Sequence, residues 1–231
     1  IYFAARGREA GHHPNHSHIY RVSLQGGEPQ LLTPEDAQHE VSFSPDGRWF
    51  IDTFSTISTP PMHVLRSADG RSVLELMQAD ISELEALGWK PPIPFTVRST
   101  DGVSDLYGVL YLPYDLDEKS SYPLIESGYF DGDFVQWKFL TTLPWRDHAL
   151  AMAQLGFAVM EFEGREALFR SRKHYLYFED PRATEPGFYD DHILAMRQLA
   201  QKYPFVDISR VGVYGHSNGG WRAARALLQH P

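Results

Sequence analysis

The chain has 231 residues, 42% of them hydrophobic and 13% aromatic, which is enough apolar material for one large domain or two small ones with packed cores. A formal net charge of -9 leaves no basic face for nucleic acid, and the absence of cysteine excludes disulfides and thiolate metal sites. No run of about 18 apolar residues is present to span a bilayer, and the N-terminus lacks the charged and apolar regions of a signal peptide.

In chain order, Ile1 to Ala5 reads as a strand, followed by Ile19 to Leu24 before Gly26-Gly27, Val41 to Phe43 before Ser44-Pro45-Asp46-Gly47, and Trp49 to Thr53. Asp46-Gly47 and Asp69-Gly70 are tight-turn pairs, since glycine accepts the positive φ such turns need. Strand after strand without a long helix, up to about residue 80, implies an antiparallel sheet such as one or two propeller blades. Between the first two strands, His12-His13-Pro14-Asn15-His16-Ser17-His18 packs four imidazoles into seven residues. Its Gly/Pro/Asn-rich setting reads as a solvated hairpin loop, and no metal or other cofactor is expected anywhere in the chain.

Asp80 to Leu87 reads as a short helix, with Ser82 and Glu85 spaced as a capping box. Lys90-Pro91-Pro92-Ile93-Pro94 cannot continue it, because proline lacks the N–H and clashes with the preceding turn. This places a domain boundary between residues 1–90 and 91–231. Beyond it, Phe95 to Ser99 and Leu106 to Leu112 flank Asp101-Gly102 as a hairpin, and Leu124 to Gly128 forms a third strand. Trp145 to Leu155 has helical spacing and stops at Gly156, Phe157 to Phe162 is an apolar strand, and Tyr189 to Gln201 is an amphipathic helix. Val211 to Tyr214 reads as a buried strand. Strand and helix in alternation predict a mostly parallel sheet covered on both faces.

That last strand runs into Gly215-His216-Ser217-Asn218-Gly219 and then a small-residue helix from Gly220 to Leu228. Strand, sharp glycine-flanked turn and helix are the setting in which a serine hydroxyl is presented as a nucleophile, so Ser217 is the candidate nucleophile of a hydrolase. Its place at a helix N-terminus points unpaired N–H groups at developing negative charge, which makes the Asn218 N–H a candidate oxyanion donor. His216 is not read as the base, since neighbouring positions on a sharp turn point in different directions.

These residues together resemble the prolyl oligopeptidase family, and within it the dipeptidyl peptidase IV-like branch. The likeness rests on Ser44-Pro45-Asp46-Gly47 with Phe54-Ser55, on Asp101-Gly102 with Leu106-Tyr107-Gly108 and Leu112-Pro113, on Tyr122-Pro123-Leu124-Ile125 leading to Tyr129, and on Phe205-Val206-Asp207 leading to the serine turn. It implies a β-propeller followed by an α/β-hydrolase domain, a serine peptidase acting on short peptides, and Tyr129 as the second oxyanion donor. Glu163-Gly164-Arg165 stands where relatives carry an Asp, and resemblance makes Arg165 and Asp191 structural; Asn218 stands where a tyrosine is common. In this fold the triad Asp and His follow the serine, and only fourteen residues do so here, with His230 the sole histidine among them. Both ends of the chain therefore read as cut, and the triad partners are expected beyond residue 231. A periplasmic or secreted location is favoured over the cytoplasm, and a homodimer is compatible with the reading. An ester hydrolase on the same scaffold and a non-catalytic propeller and hydrolase-like interaction module are the alternatives.

Overall fold

A computed structural model describes residues 1–128, 135, 137–140, 148–165, 167, 170 and 189–230. The described chain forms two compact units, one of Ile1–Leu87 with Gln136–Leu140, the other of Gly88–Val135 with Thr141–Pro231.

The first unit carries two antiparallel sheets. Strands β1 (Tyr2–Arg6), β2 (Ser17–Arg21) and β3 (Gln30–Leu31) pair in that order. Strands β4 (Gln38–Phe43), β5 (Trp49–Ser55), β6 (Met62–Ser67) and β7 (Ser72–Gln78) form a meander. Ile19, Leu32 and Phe50 are buried together, with Val41 and Phe43 against them. One turn recurs three times among the described residues. In Ser44-Pro45-Asp46-Gly47, Ser67-Ala68-Asp69-Gly70 and Ser99-Thr100-Asp101-Gly102 the serine hydroxyl donates to the Asp Oδ1 (2.7, 2.5 and 2.6 Å) and the glycine N–H donates to the serine carbonyl (2.9, 2.8 and 2.8 Å). Each glycine has positive φ (64°, 90° and 70°), the conformation that only glycine adopts without strain.

Beneath this meander lies a buried ionic network. Arg66, 2% exposed, donates from Nε to Asp52 Oδ2 (2.8 Å) and from Nη2 to both oxygens of Glu35 (2.7 Å each), while Asp52 Oδ1 meets His39 Nδ1 at 2.9 Å. The segment from Trp137 to Leu140 also belongs to this unit: the Phe139 N–H donates to Ser55 Oγ (3.1 Å) and Lys138 pairs with Glu40 (2.7 Å). Two expectations fail here. The stretch from Asn15 to His18 is buried rather than solvated: His18 Nδ1 lies 2.8 Å from the Thr33 carbonyl and His16 Nδ1 lies 2.6 Å from Asp36 Oδ1, while the Trp137 ring covers the neighbouring His13. Helix α1 (Ser82–Ala86) starts after Ile81 without a side-chain cap, so the Ser82–Glu85 box does not form; Asp80 Oδ1 takes the Ser82 N–H instead (2.9 Å).

The second unit is a five-stranded mixed sheet with helices. Strands β8 (Ile93–Arg98) and β9 (Asp105–Tyr111) form the expected hairpin, followed by β10 (Tyr122–Ser127), helix α2 (His148–Ala153), β11 (Ala158–Phe162), helix α3 (Asp190–Lys202), β12 (Val206–Tyr214) and helix α4 (Asn218–Gln229). The order is β12-β10-β11-β9-β8, with β10 parallel to both β11 and β12 and the other pairs antiparallel. Alternating side chains divide between the faces. Leu110, Leu124 and Met160 are buried with Ala195, Met196 and Leu199 of α3 and Ala226 of α4, whereas Tyr111, Ile125 and Val159 meet Ala149, Met152 and Ala153 of α2. Helices thus lie on both faces. The expectation that Val211 to Tyr214 is buried fails: Val211 and Tyr214 are exposed, because β12 pairs with β10 on one side and ends the sheet among the described residues. Trp145, the expected start of α2, lies outside the described residues.

Candidate active site

The chain leaves β10 toward β11 in one direction, through α2 on one face, and returns past β10 to β12 through α3 on the other face. Right-handed crossovers demand this change of face when the direction reverses, and the carboxyl ends of the strands flanking the reversal open a crevice. The ends of β10 and β12 meet there. Ser127 is opposite Tyr214, and the Gly128 N–H donates to the Tyr214 carbonyl (3.1 Å).

Ser217 sits on the turn that leaves this end of β12. Its φ of 53° and ψ of -117° make it the one non-glycine residue with positive φ among the described residues. Such a conformation costs about 1–3 kcal/mol and persists where the surroundings impose it. Three contacts impose it here. The Gly219 N–H donates to the His216 carbonyl (2.8 Å), the Trp221 N–H donates to the Ser217 carbonyl (3.1 Å), and Gly215 lies so close to its neighbours that a Cβ would be 2.5 Å from the Gly219 carbonyl carbon and 2.7 Å from the Gly128 oxygen. A side chain at 215 would therefore push the β10 end and the α4 start apart. The result is a serine at the surface, directly before the first residue of a 12-residue helix whose dipole places roughly half a positive charge at that end.

The sequence-predicted residues are distributed as follows. Ser217 and the Asn218 backbone share the turn, while Tyr129 lies outside the described residues; the chain immediately before it, at Gly128, touches the turn. His230 caps the far end of α4, and 12 residues at 1.5 Å each put it about 18 Å along the helix from Ser217.

Farther along the sheet, a network holds the β8–β9 hairpin to α3. Arg165 donates to Asp191 Oδ2 (2.5 Å), Asp101 Oδ2 (2.8 Å) and Thr100 Oγ1 (3.0 Å), and Asp191 Oδ1 accepts the Thr100 N–H (2.7 Å). The Ser99 hydroxyl, with the Val103 N–H and Arg165, holds the Asp101 carboxyl below its ordinary pKa. Arg165 pairs with Asp191 rather than with its sequence neighbour Glu163, whose N–H bonds the Tyr107 carbonyl (2.9 Å). A second cluster escaped sequence reasoning altogether: Glu126 on β10 receives Tyr189 Oη and meets His192 Nδ1 in the buried layer under α3. A carboxylate within an otherwise apolar strand, Leu124-Ile125-Glu126, was the signal that could have revealed it.

Comparison with known proteins adds an independent line. Residues 1–61 match the family described as the dipeptidyl peptidase IV (DPP IV) N-terminal region, and residues 145–231 match the prolyl oligopeptidase family. The chain is 30% identical to dipeptidyl peptidase 8 of Homo sapiens over 94% of its own length and 25% of the relative's. It is 24% identical to venom dipeptidyl peptidase 4 of Apis mellifera, over 93% of the chain and 28% of the relative. To a probable dipeptidyl-aminopeptidase B of Arthroderma benhamiae it is 26% identical, over 99% of the chain and 25% of the relative. The chain thus spans about a quarter of the length of the curated relatives it matches.

Proposed function

We propose that this chain, which belongs to the prolyl oligopeptidase family, is the part of a serine peptidase that supplies the nucleophile, and that the whole protein hydrolyses short peptides. The strained, glycine-clamped turn that presents Ser217 between β12 and α4 carries this reading. Ser217 Oγ attacks the scissile carbonyl, its proton passes to a histidine base and then to the leaving amine, and water hydrolyses the acyl-enzyme. The negative oxygen of each tetrahedral intermediate is received by the Asn218 N–H and by Tyr129 Oη. Support for the first donor is its place at the start of α4, where the Gly219 N–H is already taken by the His216 carbonyl. Support for the second is that Gly128, its predecessor, abuts the turn. The histidine base and the carboxylate that orients it come from parts of the protein beyond residue 231, in keeping with the quarter of its relatives that the chain spans.

The same reading divides the protein into the end of a β-propeller, residues 1–90, and the first part of an α/β-hydrolase domain, residues 91–231. Two antiparallel sheets in the one and the mixed sheet with a reversal at β10 in the other support it. In the full-length protein, a fluorophosphonate should label Ser217, and Ser217→Ala should abolish labelling and lower kcat on a dipeptidyl anilide by on the order of 10⁶-fold. Turnover of p-nitrophenyl esters alone would replace the peptidase by an esterase, and absence of labelling in the wild type would refute the nucleophile.

A further inference from the structure

The histidine-rich loop between β1 and β2 was expected to be solvated, yet it folds inward and brings together groups that lie far apart in sequence. His18, on β2 and 1% exposed, has Nδ1 2.8 Å from the Thr33 carbonyl oxygen. An oxygen can only accept, so Nδ1 carries the proton and Nε2 carries the lone pair. That Nε2 is 3.3 Å from His12 Nδ1. The carboxylate of Asp36, on the β3–β4 connection, completes a group in which one ligand atom from each of His12, His18 and Asp36 lies within 4.8 Å of the others.

We propose that His12, His18 and Asp36 form a zinc-binding site. Zinc bound tetrahedrally by nitrogens at about 2.0–2.1 Å separates two of them by about 3.3–3.4 Å, the spacing found between the two imidazoles. Two imidazoles and a carboxylate suit a borderline cation such as Zn²⁺, and three protein ligands leave a fourth position for water. The outer partners that orient metal ligands are already in place. The Thr33 carbonyl fixes the His18 tautomer, and Asp36 Oδ1 accepts the His13 N–H (2.8 Å) and meets His16 Nδ1 at 2.6 Å, which sets the direction of the carboxylate. His18 is anchored by the pairing of β2 with β1, where it stands opposite Ala5, and His12 follows Gly11, whose φ of 85° turns the loop back. The bound ion would tie the β1–β2 loop to the β3–β4 connection.

The test uses the full-length protein, stripped with a chelator and titrated with Zn²⁺ by calorimetry and with Co²⁺ by visible absorption. One equivalent should bind per chain, with the d–d bands of a four-coordinate Co²⁺. His12→Ala and Asp36→Asn should each weaken Zn²⁺ binding at least about 10-fold. Both side chains are at least partly exposed, so these variants should fold, which the circular dichroism spectrum checks. His13→Ala is the discriminating control: the backbone N–H through which His13 bonds Asp36 is kept, so the affinity should stay within about twofold of wild type. Absence of saturable binding, or a loss in His13→Ala as large as in His12→Ala, would overturn the site.

Discussion

Gly215→Ala tests whether the turn at Ser217 is held by contact. The added methyl would lie 2.5 and 2.6 Å from the carbonyl carbon and oxygen of Gly219 and 2.7 Å from the Gly128 oxygen, all backbone atoms that no rotamer change can move. Ordinary contact between such atoms is about 3.5–4.0 Å, so the start of α4 and the end of β10 must separate by roughly 1 Å. Overpacking of this kind costs about 1–3 kcal/mol, which in a domain of this size lowers Tm by about 2–12 °C. The chemical penalty is larger in proportion, because a displacement of about 1 Å between nucleophile and oxyanion donors costs on the order of 100-fold in rate. Full-length Gly215→Ala should therefore lose at least about 100-fold in kcat/KM on a dipeptidyl anilide and in the rate of fluorophosphonate labelling, while its melting point falls by about 2–12 °C. Gly212→Ala, three residues earlier on β12, is the matched control. Its methyl would meet only Ile125 Cγ1, at an ordinary 3.7 Å, and its activity should stay within about twofold of wild type. A Gly215→Ala enzyme with wild-type kcat/KM, or a Gly212→Ala enzyme equally impaired, would refute the clamp.

Two stability predictions follow from the ionic networks. Asp52→Ala leaves the guanidinium of Arg66 without the carboxylate it meets at 2.8 Å in a site where Asp52 is fully buried, and should cost about 3–5 kcal/mol, read as a lower denaturation midpoint at unchanged m. Asp101 has a folded-state pKa below its unfolded value, through the Ser99 hydroxyl, the Val103 N–H and Arg165. Its stabilising contribution is thus complete above about pH 4 and disappears as the pH falls through the folded-state pKa. The Tm difference between wild type and Asp101→Asn should accordingly be largest near neutrality and shrink below about pH 4; a difference independent of pH would show that the carboxylate charge is not what matters.

What the sequence made legible is what is decided within a few residues. The three Ser-x-Asp-Gly turns were recognisable because glycine and a hydroxyl two positions from a carboxylate settle their geometry locally, and so was the turn at Ser217, where flanking glycines, strand and helix are contiguous. Even at short range competition misleads: Ser82 and Glu85 have capping-box spacing, yet Asp80 captures the Ser82 N–H first. Contacts across long separations left no comparable trace. Arg165 reads as structural from resemblance, but its partners Asp101 and Asp191 lie 64 and 26 residues away. Burial misled in both directions for the same reason. Val211 and Tyr214 are apolar enough for a central strand and lie exposed on the last strand of the sheet among the described residues, while the polar stretch from Asn15 to His18 is buried against residues such as Thr33 and Asp36.

The position of Ser217 follows from topology as much as from its pentapeptide. Because β11 and β12 lie on opposite sides of β10, the helices that lead to them occupy opposite faces. The strand ends can then approach until Gly128 and Gly215 touch, which a residue with a Cβ at 215 would prevent. That contact places the start of α4 beside Gly128, at the end of β10. A serine at position 217 in a conformation that could relax would gain stability and lose its fixed aim. The strain at Ser217 is sustained by the packing of Gly215, Gly219 and Gly128, so stability at this turn and alignment of the proposed nucleophile are set by the same atoms.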